Sequence, residues 1–378
     1  MSRSASTLDA RFMAKALQLA QRAFGLTSPN PMVGAVLVQA GKIIGQGWHH
    51  RAGLPHAEVE AFQDALRHGL SPRGATLYVT LEPCCTHGRT PPCTEAIIQA
   101  GVHRVVAATT DPNPAHSGRG FDQLRRHGID VTVGVRETES LRLNEAFHHW
   151  IVRGTPFVTL KSAMTLDGKI GTVGRDSKWI TSPAARQLGM KLRLAADAIL
   201  VGVNTVLADN PSLTIRLAKD SDQKRAAEKR LRRLVLDSQA RTPLTSKVVS
   251  DAFAAQTTIV VSRDAPRKRI ATLEERVSVW IAPKRAGKID LRWLAKKLSK
   301  EQVTHLLVEG GGEVGASFLW NRLVQRVAFF YAPKVVGGRA APKAVGGPGE
   351  TELARAIRLH EVEWRRVGQD LMLTAQVS

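Results

Sequence analysis

The apolar residues of the first 154 positions repeat alternately with helical and with strand periods. Apolar residues at every third or fourth position predict helices, and short runs rich in Val, Ile and aromatic residues predict strands. In chain order the predicted elements are a helix over 8–25, strands over 33–38 and 42–48 joined at Gly41, a helix over 56–69, a strand over 75–81, a helix over 92–101, a strand over 104–110, a helix over 121–128, a strand over 129–135 and a helix over 138–154. This order predicts an α/β layer with helices on both faces of one sheet.

The rest of the chain alternates in the same way. The predicted strands cover 157–163, 198–202, 233–238, 257–262, 277–282, 305–310 and 326–332, and the helices between them include 291–298 and 314–324. The turn signal Gly154–Thr155–Pro156 separates the two halves. We therefore expect two α/β domains, over residues 1–150 and 156–378.

The formal net charge of +21 is unevenly distributed. Residues 1–150 carry 15 Lys and Arg against 12 Asp and Glu, whereas residues 151–378 carry 39 against 21. The excess in the second half indicates anionic partners, either nucleic acid or small phosphorylated molecules. We interpret the most basic run, 219–233, as a solvated surface helix or loop. Because only 5% of the residues are aromatic, the chain offers few platforms for stacking single-stranded nucleic acid.

Other compositional features indicate the compartment. The N-terminus lacks the apolar core of a signal peptide, and no apolar run approaches the roughly 18 residues of a membrane span. Three Cys is an odd count without a disulfide spacing pattern, which suits a reducing environment. We therefore expect a cytoplasmic protein.

One His and two Cys are spaced as a metal site requires. His56 directly precedes a predicted helix, Cys84 follows a predicted strand, and Cys93 lies in the first turn of the next predicted helix. Helix N-termini lower thiol pKa values and so favour the thiolates that bind metals. Three protein ligands leave a fourth position for water, which is typical of catalytic zinc, and zinc lowers the pKa of that water towards neutrality.

Glu58, two residues after His56, would act as a proton shuttle beside the metal rather than as a ligand. Two other interpretations remain open at this point. A lone His-x-Glu occurs by chance in many chains, and two nearby Cys are more often buried residues without a metal. The combination of His-Ala-Glu, Glu-Pro-Cys and a second Cys at a helix start favours zinc.

The motifs HAE, TLEPC, HGRTPPC and DPNP resemble the deaminase domain of the RibD family of bifunctional riboflavin-biosynthesis enzymes, over residues 8 to about 150. The nine-residue step between the two Cys differs from the Pro-Cys-x-x-Cys of deaminases that act on nucleic acids or nucleosides. The resemblance implies a cytidine-deaminase-like domain with zinc on His56, Cys84 and Cys93, and with Glu58 as proton donor. It also implies substrate contacts from Asn30, His49, Arg89 and Asn113.

Several residues depart from the family pattern. Cys85 and Thr86 follow Cys84, where the family usually has Ser or Asn and then His, so Cys85 is a competing candidate ligand. Met32 and His116–Ser117 also replace residues that are more usual at their positions. We expect these changes to alter the edge of the pocket without removing the chemistry.

Four motifs mark the second half: KSAMTLDGKI (161–170), DSKWITS (176–182), GVNTVLADNPSLTIR (202–216) and VEGGGEVGASF (308–318). The last predicts a strand, a Gly-rich turn and a helix start, an arrangement that binds phosphate through backbone N–H groups. It also satisfies Gly-x-Gly-x-x-Gly through Gly310, Gly312 and Gly315, although a plain tight turn explains that match about as well.

As a set, these motifs resemble the reductase domain of the same family over roughly 156–376, which has a dihydrofolate-reductase-like α/β fold and uses NADPH. The implied cofactor contacts are Met164 (through its backbone), Trp179, Thr205, Asp209, Gly311, Gly312, Glu313, Val314, Gly315, Ala316 and Ser317. The implied substrate contacts are Lys161, Ser177, Arg193, Leu213, Arg216 and Glu309. The two arginines are expected near the substrate phosphate, and Lys161 and Asp209 near the reacting ribose.

The resemblance therefore implies a two-step enzyme. The first domain would deaminate 2,5-diamino-6-(5-phosphoribosylamino)pyrimidin-4-one hydrolytically. The second would use NADPH to reduce the ribosyl side chain, giving 5-amino-6-(5-phosphoribitylamino)uracil. The expected partners are these phosphorylated pyrimidines, without nucleic acid or membrane, and the chain is expected to form a homo-oligomer.

Two other functions remain open on the sequence alone. The second domain could be inactive or differently used, with the deaminase as the only activity. A basic RNA-binding protein built on a deaminase fold would explain the charge, but it would favour Pro-Cys-x-x-Cys and an aromatic stacking surface, and the sequence has neither.

Overall fold

A computed structural model describes residues 3–88, 91–218 and 220–378 of the chain. The chain divides into two compact units, Met1–Gly154 and Thr155–Ser378. The division follows the helix that Gly154 ends with a left-handed backbone conformation (φ 64°). Glycine adopts that conformation without steric cost, so the helix stops where the second unit starts.

The first unit combines one sheet with helices. Its described helices are α1 (Arg3–Ala20), α2 (Ala57–Arg67), α3 (Cys93–Ala100), α4 (Arg119–Arg126), α5 (Glu137–Leu143) and α6 (Glu145–Arg153). Its strands are β1 (Gly34–Gln39), β2 (Lys42–Trp48), β3 (Thr76–Val79), β4 (Arg104–Ala107) and β5 (Asp130–Val133). The sheet order is β2-β1-β3-β4-β5. Strand β1 runs antiparallel to β2 and β3, whereas β3, β4 and β5 are parallel to one another.

Helices cover both faces of this sheet, as the sequence predicts. Successive side chains of a strand point to opposite faces. On β1, Ala35 and Leu37 therefore pack into a core with α2, α3 and α4, whereas Val36 and Val38 pack into a second core with α1.

Helix α2 lies very close to the edge strand β2. A Cβ atom at Gly45 would lie 2.3 Å from the carbonyl oxygen of Ala61, and one at Gly47 would lie 2.4 Å from that of Ala57. Only glycine leaves room for a helix backbone at such distances. This contact fixes the start of α2, where His56 and Glu58 lie.

The single helix predicted over 138–154 is wrong. The structure has two helices there, and Asn144 between them has a non-helical backbone (φ −113°, ψ 23°). The N–H of Met32 donates to the side-chain oxygen of Asn144 at 2.8 Å, and the Asn144 side-chain nitrogen donates to the Met32 carbonyl at 2.9 Å. The break thus depends on a contact with a distant loop, which the helical pattern of the segment does not reveal.

The second unit also contains a sheet between helices. Its described helices are α7 (Pro183–Ala195), α8 (Val203–Asp209), α9 (Asp220–Glu228), α10 (Lys247–Ser250), α11 (Arg267–Glu274), α12 (Leu291–Lys300) and α13 (Gly312–Trp320). Its strands are β6 (Phe157–Thr165), β7 (Ala198–Gly202), β8 (Arg232–Leu236), β9 (Thr257–Ser262), β10 (Ser278–Ala282), β11 (Lys284–Arg285), β12 (Lys288–Ile289), β13 (His305–Val308), β14 (Arg326–Ala332), β15 (Leu359–Val367) and β16 (Asp370–Val377).

The main sheet of this unit has the order β10-β9-β8-β7-β13-β6-β14-β16-β15, and β11 pairs with β12 separately. The strands from β10 to β14 in this order are parallel, and β16 is antiparallel to both β14 and β15. On β7, Leu200 packs into a core with α12 and α13, whereas Ile199 and Val201 pack into another with α10 and α11. Consecutive buried residues thus serve opposite faces, as expected of a covered parallel sheet.

The last two strands, β15 and β16, have no counterpart in the sequence prediction. Strand β15 forms the edge of the sheet, and its residues are exposed at every position except Val367, which is half-buried. Val362 and Trp364, for example, are exposed among charged neighbours. A strand without a buried face has no apolar alternation to detect.

The basic run 219–233 is only partly a solvated surface. Lys229 donates to Asp197 at 3.1 Å, and its side chain is only 7% exposed. Arg233 is fully buried and pairs with the carboxylate of Asp251 through both terminal nitrogens, each at 2.8 Å. These two cations are therefore internal structural charges. Lys219, at the start of the run, lies outside the described residues.

Within the described residues, no helix is long and apolar enough to cross a membrane.

The Arg233–Asp251 pair yields a stability prediction. Arg233→Ala is expected to lower the unfolding free energy by about 3 kcal/mol, because removing one partner of a buried ion pair leaves the other uncompensated. Arg232→Ala is the control, since that side chain is 45% exposed and lies 3.6 Å from Glu301. Its loss should cost less than about 1 kcal/mol. Urea unfolding followed by fluorescence measures both variants, and equal losses would contradict the prediction.

Candidate active sites

The predicted metal ligands lie at the starts of two helices and after one strand. His56 is the residue before α2, Cys93 is the first residue of α3, and Cys84 follows β3. The backbone N–H of Cys93 donates to Sγ of Cys84 at 3.3 Å, and that of Thr94 donates to the Cys84 carbonyl at 3.2 Å. The start of α3 therefore holds Cys84 directly.

The structure brings one ligand atom from each of His56, Cys84 and Cys93 within 4.8 Å of one another. Nδ1 of His56 lies 3.1 Å from Sγ of Cys93 and 3.6 Å from Sγ of Cys84. Tetrahedral zinc bonded to sulfur and nitrogen would separate such ligands by about 3.6 Å. The donor set and its spacing therefore fit a zinc ion, with one position left for a further ligand.

The two thiols affect each other's protonation. The hydrogen bond from Cys93, together with that from His56, lowers the pKa of Cys84 to about 4. The hydrogen bond to Cys84, together with burial, raises the pKa of Cys93. A thiolate is thus already stabilised at Cys84, and bound zinc would favour a second one at Cys93.

Glu58 lies in the first turn of α2 and is only 3% exposed. Burial raises the pKa of its carboxyl group, and the nearby His56 opposes that effect. A buried carboxyl group with a raised pKa beside a candidate metal site is suited to accept and donate protons.

Asn30 and His49 form one side of this site. Nδ2 of Asn30 lies 3.1 Å from Nε2 of His49, and Nδ1 of His49 lies 3.1 Å from the carbonyl oxygen of Pro55. Burial lowers the pKa of His49 to about 4, so its ring is neutral at neutral pH. A neutral ring that donates from Nδ1 to Pro55 can accept a hydrogen bond from Asn30 at Nε2. The His49 ring also contacts the ring of His56 edge-on, with centroids 5.2 Å apart.

The remaining predicted residues of this site are placed differently. Asn113 lies in the loop between β4 and α4, and its side-chain oxygen accepts a hydrogen bond from the N–H of Ala115 at 3.0 Å. Sγ of Cys85 lies 3.6 Å from Nδ1 of His116, and Cys85 is outside the group of converging ligand atoms. Arg89 lies outside the described residues.

In the second unit, Glu309 joins two predicted substrate contacts. Arg193 donates to both carboxylate oxygens of Glu309, at 3.0 and 2.8 Å, and Nζ of Lys161 lies 3.6 Å from the same carboxylate. Burial alone would raise the pKa of Glu309, but the charges of Arg193 and Lys161 lower it to about 2. Arg193 also donates to the carbonyl of Thr214. The cluster carries a net positive charge beside β6 and β13.

Asp209 ends α8 and contacts another predicted site residue. The Ser177 hydroxyl donates to its carboxylate at 2.7 Å, and Nζ of Lys178 donates to its carbonyl at 3.2 Å. These contacts join the DSKWITS motif to the GVNTVLADNPSLTIR motif. Predicted cofactor and substrate contacts are therefore adjacent here.

The Gly-rich turn leads into the nine-residue helix α13. A Cβ atom at Gly312 would lie 2.1 Å from the carbonyl oxygen of Lys343, so this glycine is required by close packing. Gly311 is different, since a Cβ atom there would meet nothing nearer than Oγ1 of Thr205, at 4.0 Å. Gly311 and the hydroxyl group of Thr205 thus lie close together beside the first turn of the helix, whose N–H groups lack intrahelical partners. This arrangement fits a phosphate of a dinucleotide cofactor.

The other predicted residues of the second unit vary in exposure. Trp179 is 63% exposed, with the guanidinium of Arg186 4.5 Å from its ring centroid. Met164 and Leu213 are buried, and Leu213 has a left-handed backbone conformation (φ 52°). Arg216 is exposed.

One segment of the second site has no counterpart in the predicted motifs. The N–H of Gly346 donates to the carbonyl of Gly312 at 3.0 Å, and that of Gly347 donates to the carboxylate of Glu313 at 3.0 Å. The N–H of Ala344 donates to the carbonyl of Gly168 at 3.0 Å. The cluster of glycines at 346–349 was the available signal, but glycines alone indicate only turns.

Comparisons with known families match both halves of the chain. Residues 6–109 match the cytidine and deoxycytidylate deaminase zinc-binding region. Residues 156–373 match the RibD C-terminal domain.

Similar proteins extend over nearly the whole chain. The riboflavin biosynthesis protein RibD of Aquifex aeolicus is 43% identical over 366 residues, covering 97% of this chain and 98% of that protein. RibD of Escherichia coli is 40% identical over 370 residues, with 97% and 98% coverage.

Solved structures give the same result. RibD of Acinetobacter baumannii matches with a TM-score of 0.87 at 34% identity, covering 99% of each chain. A diaminohydroxyphosphoribosylaminopyrimidine deaminase/5-amino-6-(5-phosphoribosylamino)uracil reductase of Thermotoga maritima matches with a TM-score of 0.83, also at 34% identity and 99% coverage. The predicted family and fold class are therefore confirmed, and the chain belongs to the RibD family of riboflavin-biosynthesis enzymes, with a deaminase-like zinc domain followed by a RibD reductase domain.

Proposed function

We propose that the first unit deaminates a phosphorylated aminopyrimidine at the His56–Cys84–Cys93 cluster, and that the second unit reduces the ribosyl group of the product. As a RibD protein, the chain is a bifunctional deaminase and reductase of riboflavin biosynthesis that uses Zn²⁺ and NADPH. The observation that carries the deaminase assignment is the convergence of the three ligand atoms beside buried Glu58.

The substrate assignment follows from the relative in Thermotoga maritima. That protein is described as a diaminohydroxyphosphoribosylaminopyrimidine deaminase and a 5-amino-6-(5-phosphoribosylamino)uracil reductase. We assign the same two steps here, from 2,5-diamino-6-(5-phosphoribosylamino)pyrimidin-4-one to 5-amino-6-(5-phosphoribitylamino)uracil. In this proposal the first step is catalysed by residues 1–150 and the second by residues 156–378.

His56, Cys84 and Cys93 hold the zinc ion in this proposal. Zinc bound there would act as a Lewis acid that makes water nucleophilic near neutral pH. Glu58 takes a proton from the attacking water and delivers it to the ring nitrogen next to the reacting carbon. Glu58 then takes the remaining proton of the added hydroxyl group and passes it to the departing amino group, which leaves as ammonia while the ring carbonyl forms. Cys85 takes no part, because its sulfur contacts His116 instead.

Asn30, His49, Arg89 and Asn113 bind the pyrimidine substrate in this proposal. The neutral His49 ring fixes the side-chain amide of Asn30 and thereby sets which of its atoms face the substrate. For Arg89, which lies outside the described residues, the family resemblance is the support.

In the second unit, a phosphate of NADPH binds to Thr205 and to the segment Gly311 to Ser317, which forms the start of α13, and the NADPH supplies the hydride. Met164 (through its backbone), Trp179 and Asp209 complete the cofactor contacts. The substrate contacts are Lys161, Ser177, Arg193, Leu213, Arg216 and Glu309. Glu309 keeps Arg193 and Lys161 together, and the net positive charge of this cluster favours a phosphorylated ligand.

We also assign the protein to the cytoplasm as a homo-oligomer. The three cysteines are free, which suits a reducing compartment.

The metal assignment predicts that Cys84→Ser or Cys93→Ser abolishes zinc binding and ammonia release, because each removes one of three protein ligands. Cys85→Ser is the matched control and should keep both. Zinc content, measured by elemental analysis, distinguishes the Cys84 and Cys93 variants from the Cys85 control. Zinc lost from the Cys85 variant but kept by the Cys84 variant would reverse the assignment.

The role of Glu58 predicts that Glu58→Gln keeps zinc but deaminates at least about 100-fold more slowly, the usual contribution of a positioned acid–base group. Glu60→Gln changes the same helical turn at a half-buried position and should retain activity. Ammonia release from zinc-loaded protein is the measurement. Wild-type rates in the Glu58 variant would exclude the proton-transfer role.

The assignment of one reaction to each unit predicts that each reaction can be abolished without the other. A chelator should stop ammonia release in the full chain but spare NADPH oxidation with the deaminated substrate. Asp209→Ala should instead stop NADPH oxidation and spare ammonia release, because it removes the carboxylate that binds Ser177. Asp264→Ala, at an exposed ion pair with Lys284, is the control. If chelation halts both steps, each assayed with its own substrate, the two units are not independent catalysts.

A further inference from the structure

Glu82, two residues before Cys84, is a buried carboxylate that the deaminase chemistry described above does not use. Its side chain is 3% exposed. Its backbone N–H donates to the carbonyl of Thr109 at 2.9 Å, which ties the segment after β3 to the segment after β4. Both segments lead into the deaminase site, one to Cys84 and the other to Asn113.

The Glu82 carboxylate accepts hydrogen bonds from three backbone N–H groups, two in the segment between β4 and α4 and one in the first turn of α4. One oxygen accepts from Asp111 at 3.0 Å and from Gly118 at 2.9 Å. The other oxygen accepts from Gly120 at 2.9 Å. Gly118 precedes α4 and Gly120 lies in its first turn, so the negative charge also faces a helix N-terminus. A single side chain therefore fixes both ends of the loop from 111 to 118.

The loop transmits this constraint to Asn113. The N–H of Asn113 donates to the carboxylate of Asp111 at 2.8 Å, and the Asn113 side-chain oxygen accepts from the N–H of Ala115 at 3.0 Å. Asp111 is itself held by Glu82 through its backbone. The position of Asn113 thus depends on Glu82 through two successive hydrogen bonds.

Packing leaves the loop little freedom to shift. A Cβ atom at Gly120 would lie 2.3 Å from the carbonyl oxygen of Pro83 and 3.1 Å from the carboxylate of Glu82. Gly118 has a left-handed backbone (φ 88°), which favours glycine there. The start of α4 therefore packs directly against Glu82 and Pro83, the two residues that precede Cys84.

We propose that Glu82 is a positioning residue of the deaminase: it sets the distance between the Cys84 segment of the metal site and Asn113 of the substrate site. It touches neither metal nor substrate and acts through the backbone of the loop. This role rests on the proposed deaminase function. Glutamine in its place keeps the shape of the side chain but turns an N–H donor towards one of the backbone N–H groups, which the loop can relieve only by moving.

The test is Glu82→Gln in the full chain, with Glu95→Gln as the control. Glu95, in the first turn of α3, is another Glu near the metal ligands, but it is exposed. Glu82→Gln should keep zinc and NADPH oxidation with the deaminated substrate, while the KM for deamination rises at least about 10-fold, the usual effect of losing an outer orienting contact. The control should match the wild type. Loss of zinc, or an unchanged KM, would overturn the proposal.

A double-mutant cycle with Asn113→Ala separates positioning from a general loss of structure. If Glu82 acts through Asn113, its substitution should add little to the KM once Asn113 is Ala. Independent, multiplicative effects would overturn the proposal. Gly118→Ala disturbs the hydrogen bond to Glu82 from the loop side, and it should give the same rise in KM with zinc retained. An unchanged KM in the Gly118 variant would also contradict the proposal. A wild-type chain that releases no ammonia would instead refute the deaminase function itself.

Discussion

Close backbone contact at glycine positions determines where the residues of both candidate sites lie. Gly45 and Gly47 let the start of α2 approach strand β2 to distances that a Cβ atom would prevent, and this places His56 and Glu58 against the sheet. In the second unit, Gly312 allows the start of α13 to lie against the carbonyl of Lys343. Helix N-termini present unpaired N–H groups and a partial positive charge, so the contacts that fix these helix starts also fix the groups to which we assign ligand binding.

The surroundings of two enclosed Glu side chains, one in each candidate site, shift their pKa values in opposite directions. Glu58 is surrounded by few compensating charges, and burial raises its pKa, which suits a group that carries protons. Glu309 is also largely enclosed, but Arg193 and Lys161 lower its pKa to about 2, so it remains charged and holds two cations in place. The same type of side chain thus holds an ion pair in one unit and, in the proposed mechanism, transfers protons in the other, and its charged neighbours make the difference.

The basic excess of the second half has more than one cause. Arg193 and Lys161 belong to the cluster that we assign to a phosphorylated substrate. Lys229 and Arg233, in contrast, are paired with Asp197 and Asp251 inside the unit and are not available to a partner. The net charge therefore overstates the positive charge that is available on the surface to attract anions, because it also counts cations that stabilise the fold.

Much of this protein could be predicted from local patterns. The strands over 42–48, 198–202, 257–262 and 326–332 have the predicted bounds, because each is a short apolar or alternating run between turn residues. Residue types and spacing likewise selected His56, Cys84 and Cys93 as candidate ligands. Strand β15 could not be predicted, because it has no buried face. The tertiary structure alone decided the break at Asn144, which depends on Met32 in a distant loop, and the separation of Cys85 from the ligand cluster. It also revealed Glu82, whose partners lie 29 to 38 residues further along the chain. Contacts between residues far apart in sequence leave no periodic signal, so only the folded chain shows them.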